Sequence, residues 1–274
     1  MPVITKISVQ KHNKDRYSIF TDSGSGEEYA FSVDEDVLIR HQLKKGMELD
    51  ELSISEMLVQ DDIRKAFNMA VQYMAYRMRS EAEVRDYLKK KDMAEHVIQE
   101  AVHKLYELKF LNDDEFAAAF VRTQLNTTDK GAELIKRGLK EKGIDQGKID
   151  KVIGEATFDD QLAKAIKLSE KYAHKNRKDS SRILKQKLEQ MLQRKGYSFS
   201  IIRAALEEIE LEKDEVDEME ALRYHGEKFH GKFATLPEHE YRQKMKMALY
   251  RKGFTMDLID HFISEKEKEE SKKS

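Results

Sequence analysis

The sequence predicts a mainly α-helical protein: tandem three-helix repeats forming an elongated curved body, behind a small β-containing N-terminal segment. Three observations carry that expectation. A set of seven columns recurs four times along the chain. The composition favours helix formers, with only two prolines, Pro2 and Pro237, to interrupt them. Up to about residue 58, by contrast, apolar residues tend to alternate with polar ones at period two.

In that first segment, Ile4, Ile7 and Val9 form one short apolar/polar run. Tyr17, Ile19 and Phe20 form a second, and Tyr29, Phe31 and Val33 a third. Asp22-Ser23-Gly24-Ser25-Gly26 lies between the latter two as a turn cluster, which predicts a small antiparallel sheet. Val37 to Leu43 reads as a short helix closed by Gly46.

The repeat aligns on Leu88, Leu139, Leu192 and Leu249, separated by 51, 53 and 57 residues. Four positions earlier stand Val84, Ile135, Leu188 and Met245, on the same helical face. Three positions later come Lys91, Lys142, Lys195 and Lys252, then Asp92, Gly143, Gly196 and Gly253, then Met93, Ile144, Tyr197 and Phe254. A glycine there supplies the left-handed residue that ends a helix, and the apolar residue after it folds back on the leucine. Asp92 replaces the glycine in the first copy, so a differently shaped turn is expected there. Asp145, Ser198 and Thr255 then read as N-caps of a following helix. Its buried stripe is Ile98, Ile149, Ile202 and Ile259, with Val102, Ile153, Leu206 and Ile263 one turn on.

A third helix precedes each pair. Its apolar face is Ala66, Phe67, Ala70, Val71 and Met74 in the first copy, and Phe116, Ala119 and Phe120 in the second. It is Leu162, Ala165, Ile166 and Ser169 in the third, and Met219, Leu222 and Phe229 in the fourth. Ser80 with Glu83, and Asn112 with Glu115, have capping-box spacing. The expected organisation is therefore 1–58 for the β-containing segment, then repeats at 59–110, 111–156, 157–211 and 212–266. A charged tail follows at 267–274; the polar run from Ser264 is expected to fray.

Charge and composition restrict function. Charged residues make up 37% of the chain, too many for one large spherical core, and net charge is −2. The charge is segregated. Lys171 to Lys195 holds nine Lys/Arg against Asp179 and Glu189, and Glu207 to Glu220 holds nine Asp/Glu against Lys213. The absence of cysteine excludes disulfides and thiolate chemistry and suits a reducing compartment. No signal peptide or membrane-spanning run is evident, so a cytoplasmic monomer with no membrane partner is expected.

No phosphate-binding G-x-x-x-x-G-K-[ST], G-x-G-x-x-G or H-E-x-x-H occurs. His225, His230 and His239 can be read as metal ligands or as a helix-end surface. Asp113-Asp114-Glu115 can be read as a cation site or as anions favouring a helix N-terminus. Neither is a specific signal, and the expectation is a non-enzymatic protein without cofactor or metal. The recurring lysine likewise suits a helix C-terminus as well as a ligand. The wider basic clusters are more suggestive. They are Arg77, Arg79, Arg85, Lys89 and Lys90; then Lys136, Arg137 and Lys140; then Arg182, Lys185, Arg194 and Lys195, with Arg242, Lys244, Lys246 and Arg251 in the fourth copy. If the repeats stack with constant rotation, these helices trace one basic stripe suited to a phosphate backbone or an acidic groove. Separate solvated faces are the alternative.

Three stretches in order resemble the RecX family of bacterial recombination regulators. They are Arg77-Met-Arg-Ser-Glu-Ala-Glu-Val84, Phe110-Leu-Asn-Asp-Asp-Glu-Phe-Ala117, and Lys130-Gly131 leading through Ile135 and Leu139 to Lys142-Gly-Ile144. With the repeat columns, the resemblance runs from about residue 61 to the end. The N-terminal segment looks like the extension of longer, Gram-positive-type members. The resemblance implies tandem three-helix repeats and binding to RecA in the groove of the RecA–DNA filament. It further implies modulation, mostly inhibition, of RecA's recombinase, ATPase and co-protease activities in DNA repair and the SOS response. The chain departs from short members in having a fourth repeat. A helical-repeat protein that binds single- or double-stranded DNA directly, without RecA, is the alternative reading.

Overall fold

The computed structural model describes residues 1–209 and 214–271. Strands β1 (Val3–Val9), β2 (Arg16–Asp22) and β3 (Glu27–Asp34) form an antiparallel meander in sequence order. Alternation decides which face is inside: Ile4, Ile19, Phe31 and Val33 are buried together. The β2–β3 turn is fixed by the Asp22 carboxylate, which accepts from Gly24 N (2.7 Å) and Gly26 N (3.0 Å). Helix α1 (Glu35–Arg40) follows. Gly46 does not close it. Gln42, at φ 50°, takes the left-handed position, and Leu43 N donates to Leu38 O (3.1 Å). Gly46 instead lies beside β1, its N–H donating to Ile4 O (2.8 Å).

Helix α2 (Glu51–Met74) begins where Asp50 accepts from Ser53 N (2.7 Å). The expected boundary at 58/59 thus falls inside a continuous helix. Its first half gives Met57 to the core under the sheet, and its second half gives Ala66, Phe67 and Ala70 to the first helical core. A buried ion pair fastens the sheet to it. Arg16 donates through both terminal nitrogens to Asp61 (3.1 and 2.7 Å), which also accepts from Asp34 N (2.7 Å).

The remaining helices are α3 (Glu81–Lys89), α4 (Glu95–Glu107), α5 (Asp113–Thr127), α6 (Ala132–Glu141) and α7 (Gln146–Val152), then α8 (Phe158–Lys175), α9 (Ser181–Arg194) and α10 (Phe199–Glu208). After them come α11 (Glu215–Phe233), α12 (Glu238–Arg251) and α13 (Met256–Ser271). They group in threes from α2 onward. Leu88, Leu139, Leu192 and Leu249 are all fully buried. Behind them, Gly143, Gly196 and Gly253 adopt φ of 76°, 82° and 86°. Asp92 adopts the same conformation (φ 58°), so the first turn is not differently shaped. Its N–H donates to Lys89 O (3.0 Å) and that of Met93 to Leu88 O (3.3 Å), the paired bonds of a Schellman ending.

Three further details differ from expectation. In α5 the fully buried apolar residues are Phe116, Ala117 and Val121, with Ala119 and Phe120 only half-buried. Ile153 leaves the short α7 for a 3₁₀ turn (Ile153–Glu155). The charged end does not fray at Ser264: α13 continues to Ser271. Ion pairs Arg223–Glu265, Arg242–Glu267 and Lys266–Glu227 tie it to α11 and α12. The expected 211/212 boundary, the middle of the acidic run and the last three residues lie outside the described residues.

The chain divides into two compact units, Met1–Ala118 with Lys140–Lys148, and Ala119–Leu139 with Ile149–Ser274. The first holds the sheet core and a core built on α2, α3 and α4. The second holds cores built on α8 to α10 and on α11 to α13. No helix among the described residues is long and apolar enough to cross a membrane.

Candidate functional site

The second helix of each repeat carries most of the candidate basic residues, and its ends are where successive repeats join. In the first unit, the Lys142-Gly143 turn behind α6 abuts the start of α3. A Cβ on Gly143 would lie 2.4 Å from that of Ala82. Lys142 Nζ reaches Glu83 Oε1 (2.7 Å). In the second unit, the Lys195-Gly196 turn behind α9 meets the start of α6. There Gly131 N donates to Lys195 O (2.8 Å) and Glu133 N to Gly196 O (3.1 Å). Also in that unit, Ser180 at the start of α9 donates through Oγ to Lys252 O (2.6 Å). Free carbonyls of one helix end thus satisfy free donors of another helix start.

Each such start is also capped from the next repeat's first helix. Asp113 Oδ1 accepts from Glu81 N (2.9 Å), Gln161 Oε1 from Ala132 N (3.0 Å), and Glu218 from Ser181 N (3.2 and 3.1 Å). Asp113 is therefore an inter-repeat cap that burial pushes above the ordinary carboxylate pKa, and the Asp113-Asp114-Glu115 run is used structurally.

Glu83 is the hub of the first junction. It accepts from Arg77 (2.7 Å) and Lys142 (2.7 Å), lies 3.9 Å from Arg79, and completes a capping box with Ser80. Burial alone would raise its pKa. The bonds from Arg77, Lys142 and Ser80 N outweigh that and hold it at about 2, against a usual 4.5. A depressed carboxylate stabilises the fold fully above 4.5, and that contribution is lost as pH falls from there towards 2. Glu83→Gln is expected to cost on the order of 2 kcal/mol at pH 7. In urea denaturation the gap from wild type should shrink at pH 3; a gap unchanged with pH would refute the ionic role.

This hub removes part of the expected stripe from solvent duty. Arg77 is spent on Glu83. Arg79 lies over the Tyr73 ring (4.1 Å), itself stacked on Tyr87. Arg85 pairs with Glu81 (2.7 Å), Lys89 with Glu95 (3.2 Å), Lys136 with Glu133 (2.7 Å) and Lys195 with Asp129 (3.5 Å). Arg194 bonds Gln190 O (3.4 Å) and Arg182 lies over the Tyr250 ring (5.9 Å). Lys90, Arg137, Lys140 and Lys185 are exposed, with no carboxylate in ion-pair range among the described residues. Arg251 in α12 matches them, while Arg242, Lys244 and Lys246 are paired with acids.

The histidines do not converge. His225 bonds Lys178 O (3.0 Å) and His230 bonds the Tyr241 hydroxyl (2.9 Å). Among the described residues no three His, Asp or Glu side chains are grouped to hold a metal ion.

The chain matches family models along most of its length. Residues 2–50 match the regulatory protein RecX N-terminal domain, 66–105 the first RecX three-helix domain and 112–153 the second. The third three-helix domain matches twice, at 159–206 and 215–263, so the last two repeats are of one type. Regulatory protein RecX of Bacillus velezensis is 49% identical over 97% of this chain and all of its own length; that of Bacillus subtilis is 47% identical over the same shares. A crystal structure of regulatory protein RecX, 36% identical, superposes with a TM-score of 0.67 over 76% of this chain and all of that one. RecX from Lactobacillus salivarius, 38% identical, gives 0.53 over 56% of this chain and 99% of its own. With four domain models in order and relatives alike over nearly its whole length, the chain belongs to the RecX family of regulatory proteins.

Proposed function

We propose that this protein binds RecA, or the RecA–DNA filament, and lowers its recombinase, ATPase and co-protease activities by binding alone. One observation carries the reading. The second helix of every repeat, or its C-cap, keeps at least one exposed cation with no carboxylate in ion-pair range among the described residues: Lys90, Arg137 with Lys140, Lys185, and Arg251. Cations left unpaired on a repeating element suit a repeating anionic partner. The chain's own ion pairs account for most of the remaining basic residues on these helices.

The test is RecA-driven strand exchange and ATP hydrolysis with the purified protein added, beside binding to RecA filaments and to bare single-stranded DNA in one salt series. Inhibition with preferential filament binding is expected. No effect at several-fold excess over filament sites would overturn the proposal. Tight, salt-dependent binding to bare DNA that RecA does not improve would favour direct DNA binding instead. Combined Lys90→Glu, Lys140→Glu and Lys185→Glu substitution is expected to weaken filament binding by about tenfold or more, with helicity by circular dichroism unchanged. Wild-type affinity in that variant would make these cations a solvated surface only.

A further inference from the structure

Where α8 ends and α9 begins, Lys178 meets Lys228 of α11 about one aromatic ring. Two side chains there are set in an unusual arrangement. Lys178 Nζ lies 3.8 Å from the centroid of the Tyr224 ring, and Lys228 Nζ lies 4.3 Å from the same centroid. Lys228 also donates to the Tyr224 hydroxyl (2.9 Å). The two ammonium groups are therefore within about 8 Å of one another, close enough to repel across a Debye length. Neither has a carboxylate in ion-pair range among the described residues; nearby Asp179 is engaged by Lys187 (2.6 Å).

The arrangement is held in place. His225, next to Tyr224 on α11, bonds the backbone carbonyl of Lys178 (3.0 Å) and packs against the buried Phe254. That bond fixes the α8–α9 loop on α11, so Lys178 and Lys228 meet at Tyr224 by construction. Because the Tyr224 oxygen accepts from Lys228, its own O–H remains able to donate outward. Two ammonium groups and a phenol are then gathered about one ring as three donors, a donor set suited to a phosphate group. A second cation–aromatic pair follows four residues along the chain, where Arg182 lies over the exposed Tyr250 (5.9 Å). Cations interleaved with aromatic rings suit a single strand, whose backbone they track and whose bases meet the rings.

We propose that Lys178, Lys228 and Tyr224 form a clamp for a phosphate of single-stranded DNA, with Arg182 and Tyr250 taking the adjoining nucleotide. The clamp deepens the filament reading, on which it rests only for where such a strand is met. The test uses the full-length protein and a labelled oligothymidylate, followed by fluorescence anisotropy over a salt series. Lys178→Ala/Lys228→Ala is expected to weaken binding at low salt about tenfold. It should also reduce the slope of log K against log salt by about 0.7 for the lost phosphate. Lys44→Ala/Lys45→Ala removes the same charge from an exposed loop elsewhere and is expected to keep the wild-type slope. Tyr224→Phe, which keeps the ring, is expected to lose affinity a few-fold.

The proposal is overturned if wild type fails to bind the oligonucleotide, if the Lys178/Lys228 variant keeps the wild-type slope, or if the control variant loses as much. It is also overturned if micromolar inorganic phosphate displaces the strand, since the site would then take a free anion. Failure of the wild type to bind RecA filaments would sink the filament reading, while the oligonucleotide series would still decide the clamp.

Discussion

Asp61→Ala is expected to cost about 3–5 kcal/mol and to release the N-terminal sheet from the first repeat. The Asp61 side chain is only 2% exposed and that of its partner Arg16 15%. Two bonds from Arg16, one from Asp34 N and an ion pair to Lys65 (3.3 Å) satisfy it. Truncation removes all of these at once and leaves the Arg16 guanidinium buried without its counter-ion. It also leaves a backbone N–H of Asp34 without its acceptor. Replacing both charges by apolar residues of similar volume, as in Arg16→Met/Asp61→Leu, should recover much of the loss, because a buried pair offsets little more than its own desolvation. Urea denaturation gives the magnitude. Amide exchange locates it: protection should fall in β1 to β3 before it falls in α3 and α4. A cost below 1 kcal/mol, or uniform loss of protection, would show that the sheet is held mainly by Met57 and its apolar neighbours instead.

The repeat was legible because its columns are local chemistry. A leucine, a left-handed residue and an apolar residue that folds back must sit at fixed offsets to end a helix, whatever surrounds them. Asp92 illustrates the limit of that reading. Residue type alone suggested another turn, yet the backbone conformation is the common one. The physical difference lies in what approaches it. Gly143, Gly196 and Gly253 each pack against the start of another repeat's second helix, whereas Asp92 is exposed.

The basic helices could be seen in the sequence, but not which of their cations were already spent. Arg77 and Lys142 converge on Glu83 from 65 residues apart in sequence, and only the fold brings them together. The stretches that carried the family resemblance, Arg77 to Val84 and Phe110 to Ala117, prove to build that junction through Glu83 and Asp113. The inter-repeat caps were illegible for a further reason. Asp113, Gln161 and Glu218 are three different residue types, and any side chain with a carboxylate or amide oxygen in reach can do the task.

The close approaches at the repeat junctions lead to a graded expectation. Gly131 has no left-handed φ, so alanine meets no backbone strain there. A Cβ at that position would nevertheless lie 2.4 Å from Gly196 C and O and 2.5 Å from Tyr197 N. These are backbone atoms and cannot rotate away, so the junction itself must open. Gly131→Ala is expected to cost about 1–3 kcal/mol by overpacking. Gly196→Ala adds backbone strain at φ 82° to contacts of 2.6 Å with Leu134 N and 2.7 Å with its Cγ, and should cost about 1–2 kcal/mol more. Asp92→Gly has the opposite sign: it relieves a left-handed non-glycine residue at an exposed position, and should stabilise by up to about 1 kcal/mol. Urea denaturation of the three variants orders them. A neutral Gly131→Ala would mean that the two turns separate at no cost, and that Gly131 N–Lys195 O and Glu133 N–Gly196 O are exchanged freely for water. A destabilised Gly131→Ala beside a stabilised Asp92→Gly would show that the close approach of Gly131 to the Gly196 turn constrains this junction, over and above the freedom of Gly196 to turn the chain.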